Sequence, residues 1–453
     1  MMLKPPVRRG MMELDRAAFQ LSFKVFAIVV PTKSIGQAKV ELASDILKLA
    51  KLRNVVDDDA KSKDLKKVLL KPEITSDALA EGSERLRALV KEKQWPVTTH
   101  EVTVDYEHWT ADEVLKAVLP DPTQAPTSYE QVGHIAHMNL RDEYLPYRNL
   151  IGQVILDKSP VISTVVNKLD TIDNTYRNFK MEVIAGKDDF MAQVRENDCV
   201  FKFDFSKVYW NSRLHTEHER LIKQFTPGDA ICDVMAGVGP FAVPAAKRDC
   251  LVWANDLNPA SFAAMQENIP LNKVQKRMQA FNMDGRDFIR RAFKDFYAAT
   301  EKGPLEVPQT QRRKKPVAPL LTKSRTFDHV VMNLPAIAIE FLDAFRGLFW
   351  SVTGNDEGSA DDQAVPMPVI HAHCFTKQLD EPERDILQRA CRAMGYPQDQ
   401  YKELDADVHY VRRVAPNKDM YCLSVRLPKS VAYAADKKAE GREEGDAKCR
   451  KAE

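Results

Sequence analysis

The sequence has no two cysteines at the C-x-x-C spacing used by zinc ribbons and redox motifs; its seven stand scattered at positions 199, 232, 250, 374, 391, 422 and 449. A disulfide framework or thiolate metal cluster is therefore not the organising device, and free thiols suit a reducing compartment. Apolar runs near the roughly 20 residues of a membrane-spanning helix are missing too. Even VFAIVV (25–30) is flanked by Lys24 and Pro31. Charge bias is lacking, with 66 Lys+Arg against 65 Asp+Glu, so any basic face for nucleic acid has to be local. The opening stretch MMLKPPVRRGMMELDRAAF has three arginines but also acids and no serine, a poor match to an organellar presequence.

What is present is material for several cores. A chain of 453 residues, 44 % apolar and 29 % charged, suits two or three soluble domains. Residues 1–127 combine a proline-rich lead, a strand-like run and lysine-rich helical stretches. The segment DPTQAPTSYEQVGHI then has linker composition, which places a boundary near residue 128. Alternating short strand-like and helical runs over 128–205 fit a small α+β domain. From 206 to 433 the pattern is regular: β-type runs at 230–236, 251–256, 278–284, 327–334 and 368–375 alternate with helical stretches, predicting a parallel sheet with crossover helices. Two more runs, 407–415 and 420–427, flank Pro416-Asn417-Lys418 and read as a closing hairpin. The expected fold is an α/β, doubly wound seven-stranded sheet with two insertions, at 302–326 and 353–363, and a charged, disordered tail from 434 to 453.

The first strand of that sheet runs into DVMAGVGPF. Gly237 and Gly239 permit a tight strand-to-helix turn that opens backbone N–H groups to a ligand. No Gly-Lys-Ser/Thr follows, which excludes a phosphate P-loop. With Ala242, the glycines satisfy a loose G-x-G-x-x-A pattern, so a dinucleotide stays possible on this turn alone. The second strand ends at Asp256-Leu257-Asn258-Pro259, where an acid takes ribose hydroxyls, although Asn258 and Pro259 also start a helix. The third ends at Asp284-Gly285, a carboxylate and bare backbone placed to meet an adenine edge. Asp233, an acid opening the glycine motif, suits the ammonium of a nucleoside with an amino-acid tail. That favours S-adenosylmethionine over NAD.

The fourth strand ends Asn333-Leu334-Pro335-Ala336. The Asn333 amide can donate to and accept from a nucleobase edge. Ala336 stands where enzymes acting on exocyclic amines carry a stacking aromatic, and no cysteine nucleophile for pyrimidine C5 chemistry follows. A ring nitrogen remains, and its proton needs a general base. Candidates lie in SRLHTEHERL (212–221), where Glu217 could equally be one half of an ion pair with Arg213 at i,i+4. No metal site is expected.

The runs SRLHTEHERL, DVMAGVGPF, NDLNP, NMDGRDF and MNLPA, with the upstream GHIAHMNLRDEYLPYRNLIGQVILD and NTYRNFKMEVIAG, resemble the archaeal and eukaryotic tRNA guanosine-37 N1-methyltransferases. The resemblance covers about residues 1–430, is strongest from 130 to 340, and departs at the 302–326 insert. It implies a class I methyltransferase domain using S-adenosylmethionine, N-terminal α+β domains that bind tRNA with G37, and a monomer without membrane attachment. It also implies activity on inosine-37, a contribution to wybutosine synthesis, and residence in the mitochondrial matrix, nucleus and cytoplasm. Residue by residue it implies that Glu217 accepts the N1 proton, Arg177 stabilises charge on O6 and Asn333 touches base or cofactor. His218, Asp256, Leu257, Asp284, Gly285 and Asn333 line the cofactor, beside Asp233, Gly237 and Gly239. The competing readings are an aminocarboxypropyl transferase using the same cofactor, and a catalytically silent RNA-binding scaffold.

Overall fold

Seven runs, five of them short and largely apolar and two forming the polar closing hairpin, become the strands of one sheet. They are β1 (Ala230–Asp233), β2 (Leu251–Asn255), β3 (Met278–Phe281), β4 (His329–Met332), β5 (Val369–Thr376), β6 (Ala406–Ala415) and β7 (Lys418–Arg426). The computed structural model describes residues 3–49, 51–58, 64–172, 179–309, 318–353 and 366–434. The sheet order is β3-β2-β1-β4-β5-β7-β6. The first five strands are parallel, β7 runs antiparallel to β5, and β6 is antiparallel to β7 at the edge. Every strand and the closing hairpin expected from the sequence form in this sheet, because each has a helix or another strand to bury its faces.

One face of the sheet carries the main core. Phe288, Phe293 and Phe296 of helix Gly285–Ala299 pack with Ile386 and Ala390 of helix Pro382–Met394 over Cys232, Met332, Ala372 and Leu423. The opposite face is covered by helices His215–Ile222 and Pro259–Leu271, among others. Because β1 and β4 adjoin while their neighbours run outward in opposite directions, the chain reverses its winding there, and ligands enter such folds at the carboxyl ends of these strands.

The chain divides into two compact units: residues 1–169 with 181–188, and residues 170–180 with 189–453. This revises the expected domain limits at both ends. In the first unit, residues on both sides of position 128 share one core, in which Phe19, Val102, Trp109 and Val114 pack with Ala136, Ile151, Val165 and Ile184. The proline-rich segment is thus a connection within a unit. That unit holds an antiparallel sheet ordered Val55–Asp57, Leu65–Leu69, Leu21–Pro31, Val97–Val104, and most of a second sheet formed by Glu130–Val132, Ile135–Met138, Thr164–Ile172 and Phe179–Gly186. The limit expected at 205 moves to 189, because the hairpin Met191–Glu196/Cys199–Asp204 is bonded to helix Pro259–Leu271 and the residue after it. Val200 N–H donates to Asn272 Oδ1 and Lys202 N–H to Asn268 Oδ1, each at 2.8 Å.

At the first insertion, short strands Glu306–Val307 and Leu320–Leu321 pair antiparallel. Residues 310–317 between them, most of the second insertion (354–365) and the tail expected to be disordered (435–453) lie outside the described residues.

Candidate active site

The turn after β1 is shaped for a ligand by two glycines with positive φ, +57° at Gly237 and +97° at Gly239. A Cβ on Gly239 would lie 2.8 Å from Val243 Cγ2, whereas one on Gly237 would meet nothing within 4 Å. The first glycine therefore borders open space and the second packs the following helix.

Asp233, at the end of β1, is fully buried, and among the described residues neither carboxylate oxygen has a side-chain partner, with the Met235 backbone N–H alone bearing on it. Burial, and then the negative charge of Asp256, push its carboxyl well above the ordinary range. A buried acid without a side-chain partner is costly and signals an absent one. The Asn333 Oδ1, after β4, is likewise buried and without a partner among the described residues. These two orphaned acceptors fit the ammonium and polar edges of S-adenosylmethionine.

Asp256 is already engaged, and this modifies its expected role. Its Oδ2 accepts from Gly237 N–H at 2.8 Å and its Oδ1 from Asn258 N–H at 2.9 Å, so it braces the glycine turn from the neighbouring strand. Burial still raises its carboxyl, and the two backbone bonds offset part of that rise. Beside it the Leu257 side chain is 49 % exposed, an apolar surface at the rim for a flat ring. Asp284 accepts from Arg286 N–H at 2.8 Å and so caps the helix it precedes. Gly285 answers to packing, since a Cβ there would stand 2.9 Å from Phe341 Cε1.

The helix His215–Ile222 buries Glu217 and His218 together. His218 Nδ1 bonds Glu196 of the 191–204 hairpin, and its ring meets Phe241, at the end of the glycine turn, edge-on with centroids 4.7 Å apart. It thus anchors the turn. Glu217, 4 % exposed, pairs with Arg220 at i,i+3: Nε donates to Oε2 at 2.7 Å and Nη2 to Oε1 at 2.8 Å. His373 of β5 donates from Nε2 to Oε1 at 2.7 Å. Burial alone would raise this carboxyl, but the hydrogen bonds from Arg220 and His373 and the Arg220 charge outweigh it and hold the value at about 2. Phe241 also packs against His373, centroids 5.6 Å apart, so a single ring joins the Glu217 cluster to the cofactor turn.

Donor atoms of Glu217, His373 and Cys422 lie within 4.8 Å of one another, a spacing open to a metal ion. The Arg220 guanidinium holds both Glu217 oxygens and puts positive charge at that place, so the group is a clamped carboxylate. Arg177 lies outside the described residues. Sequence reasoning missed Arg220, Glu196 and His373. The signal for the last was the alternation His371-Ala372-His373, which sets two imidazoles on one face of an otherwise apolar strand.

Two family models match the chain: the TRM5/TYW2 methyltransferase domain over residues 192–297 and the TYW2 N-terminal domain over 111–189. They meet where the structure divides. Among curated relatives, a tRNA (guanine(37)-N(1))-methyltransferase of Batrachochytrium dendrobatidis is 45 % identical, over 96 % of this chain and 92 % of that protein. One of Schizosaccharomyces pombe is 44 % identical over 93 % and 95 %. One of Saccharomyces cerevisiae is 42 % identical over 94 % and 95 %. Among solved structures, Trm5b from Pyrococcus abyssi aligns with TM-score 0.55 at 22 % identity, over 89 % of this chain and 99 % of that one. The complex of aTrm5 and tRNALeu aligns at 0.59 and 18 %, over 89 % and 100 %, and both share this fold.

Proposed function

We infer that this chain, because it belongs to the tRNA (guanine(37)-N(1))-methyltransferase family, transfers a methyl group from S-adenosylmethionine to N1 of guanosine-37 in tRNA. The structural observation that carries the reading is an ionised, buried carboxylate, Glu217, joined through one aromatic ring to a glycine turn that has an orphaned acid at its base. S-adenosylmethionine supplies the methyl group, with Asp233, Asn333, Leu257 and the Gly237 turn as the residues that hold it.

Guanine N1 carries a proton with a pKa of about 9, which has to leave as the new bond forms. Glu217 is the group to receive it. Arg220 engages both carboxylate oxygens, so proton acceptance requires the guanidinium to leave Oε2 as the base arrives. Burial then dominates and raises proton affinity. Arg177 is proposed to stabilise charge on O6, a role that grows as N1 loses its proton.

The test is a pair of tRNA transcripts differing only at position 37. The G37 transcript gains one methyl group, located at N1 by mass spectrometry of the nucleosides, and the A37 transcript gains none. An aminocarboxypropyl product would instead support the competing transferase. The first unit is proposed to supply tRNA affinity, on its match to the TYW2 N-terminal domain. A chain beginning at Asp189 should keep S-adenosylmethionine binding by calorimetry and lose turnover on tRNA, while full turnover would refute the assignment. Monomeric action and residence in mitochondrial matrix, nucleus and cytoplasm rest on the family resemblance. Among the described residues no helix is long and apolar enough to cross a membrane.

A further inference from the structure

Sheet register brings three side chains level beneath Glu217: His373 on β5, Cys422 on β7 and His409 on β6. Of the three, His373 reaches the carboxylate closely, at 2.7 Å from Oε1, while His409 Nε2 stands 3.9 Å from Oε2. The two sides of the carboxylate differ in access. His373 is fully buried, whereas the side chains of Arg220 and His409 are 24 % and 41 % exposed. Arg220 can therefore swing away, and His373 cannot.

The tautomer of His373 follows from its partners. An ionised carboxylate only accepts, so Nε2 carries the proton. Nδ1 is buried and, among the described residues, unpartnered, and a proton there would be an unsatisfied donor. Burial further disfavours the cation; the bond to Glu217 and its charge oppose this in part, and His218 and Arg220 add smaller contributions against the cation. The ring is a neutral, one-sided donor aimed at Oε1.

We propose that His373 is the positioning residue of the general base, holding Glu217 Oε1 inward so that Oε2 faces the substrate side and receives the guanine N1 proton. The proton moves from N1 to Oε2, the N1 electron pair goes to the new N–C bond, and the methyl group's bond to sulfur breaks with its electron pair left on the sulfur. Oε1, now the carbonyl oxygen of the acid, still accepts from Nε2–H. A neutral donor serves the carboxylate before and after transfer, which a cation fixed at that place would oppose. This rests on the reading of Glu217 as the base.

The test uses the full chain and compares His373→Phe, His373→Gln and His373→Asn, alone and with Glu217→Gln, in single turnovers with both ligands saturating. A glutamine amide can place its nitrogen where Nε2 stands; an asparagine amide stops at the Nδ1 position. Phe and Asn should slow transfer about 10–100-fold, the scale of one hydrogen bond to a charged group, with unchanged affinity for S-adenosylmethionine and tRNA. Gln should recover most of the rate. Added to Glu217→Gln, His373→Phe should cost little more, since two residues acting as one unit are not additive. Equal rates for Gln and Asn, or a fully additive loss, would overturn the positioning role. If Phe does not fold, the Gln–Asn comparison still decides. Should Glu217→Gln itself transfer at the wild-type rate, the base reading fails, an outcome separate from a failure at His373.

Discussion

Glu217→Gln should slow single-turnover methyl transfer about 10²–10⁴-fold, the range of general-base loss, with S-adenosylmethionine affinity little changed. Glutamine keeps the shape, and its single carbonyl oxygen can still accept at the Oε1 position from Arg220 Nη2 and His373, but its NH2 loses the bond from Arg220 Nε and it cannot hold the N1 proton. If Glu217 were only half of a structural ion pair, transfer would proceed at nearly the wild-type rate once tRNA saturates. Stability should show a second signature. The native carboxyl, at about 2, lies below its ordinary value of 4.5, so ionised Glu217 contributes stability that is fully present above pH 4.5 and is lost as pH falls toward 2. The stability difference between wild type and Glu217→Gln should accordingly be flat from pH 8 to about 5 and shrink below that, as read by denaturant unfolding.

Asp233→Asn should weaken S-adenosylmethionine binding about 10²–10⁴-fold, because removing one partner of a buried charge pair costs about 3–5 kcal/mol. The same change should leave the ligand-free protein as stable as wild type, or more so, at neutral pH. The sign follows from the raised native carboxyl: folding favours its protonated form, so the wild-type chain loses stability as pH rises from 3.8 through the native value. Asparagine cannot ionise and avoids that loss. Seating an ammonium beside Asp233 should drive the acid to ionise, so wild-type binding releases a proton that calorimetry in two buffers of different ionisation heat detects. Asp233→Asn should release none. Unchanged affinity would remove Asp233 from the cofactor site. Asp256→Ala would be less diagnostic, since it also deprives Gly237 and Asn258 of the acceptor that fixes the turn.

Strand positions, the glycine turn and the acid that opens it could be read directly from the chain, because alternation, chain reversal and helix starts are set by neighbours within a few residues. The same holds for Asp284, although its near neighbours use it as a helix cap. Domain limits were less legible. Whether residues 128–169 join the N-terminal core, and the 191–204 hairpin the methyltransferase unit, depends on whose core Ile151 fills and which helix carries Asn268. The state of Glu217 was invisible in the sequence. Spacing offered an Arg213 partner on one helix face. The carboxylate instead meets Arg220 one turn along and His373, which is 156 residues away in sequence. That last contact exists because β5 lies beneath the helix in the folded sheet, and only burial there, with Arg220 and His373 in reach, sets the charge and aim of the base. Local pattern determined which residues could act; long-range packing decided which partner each one has.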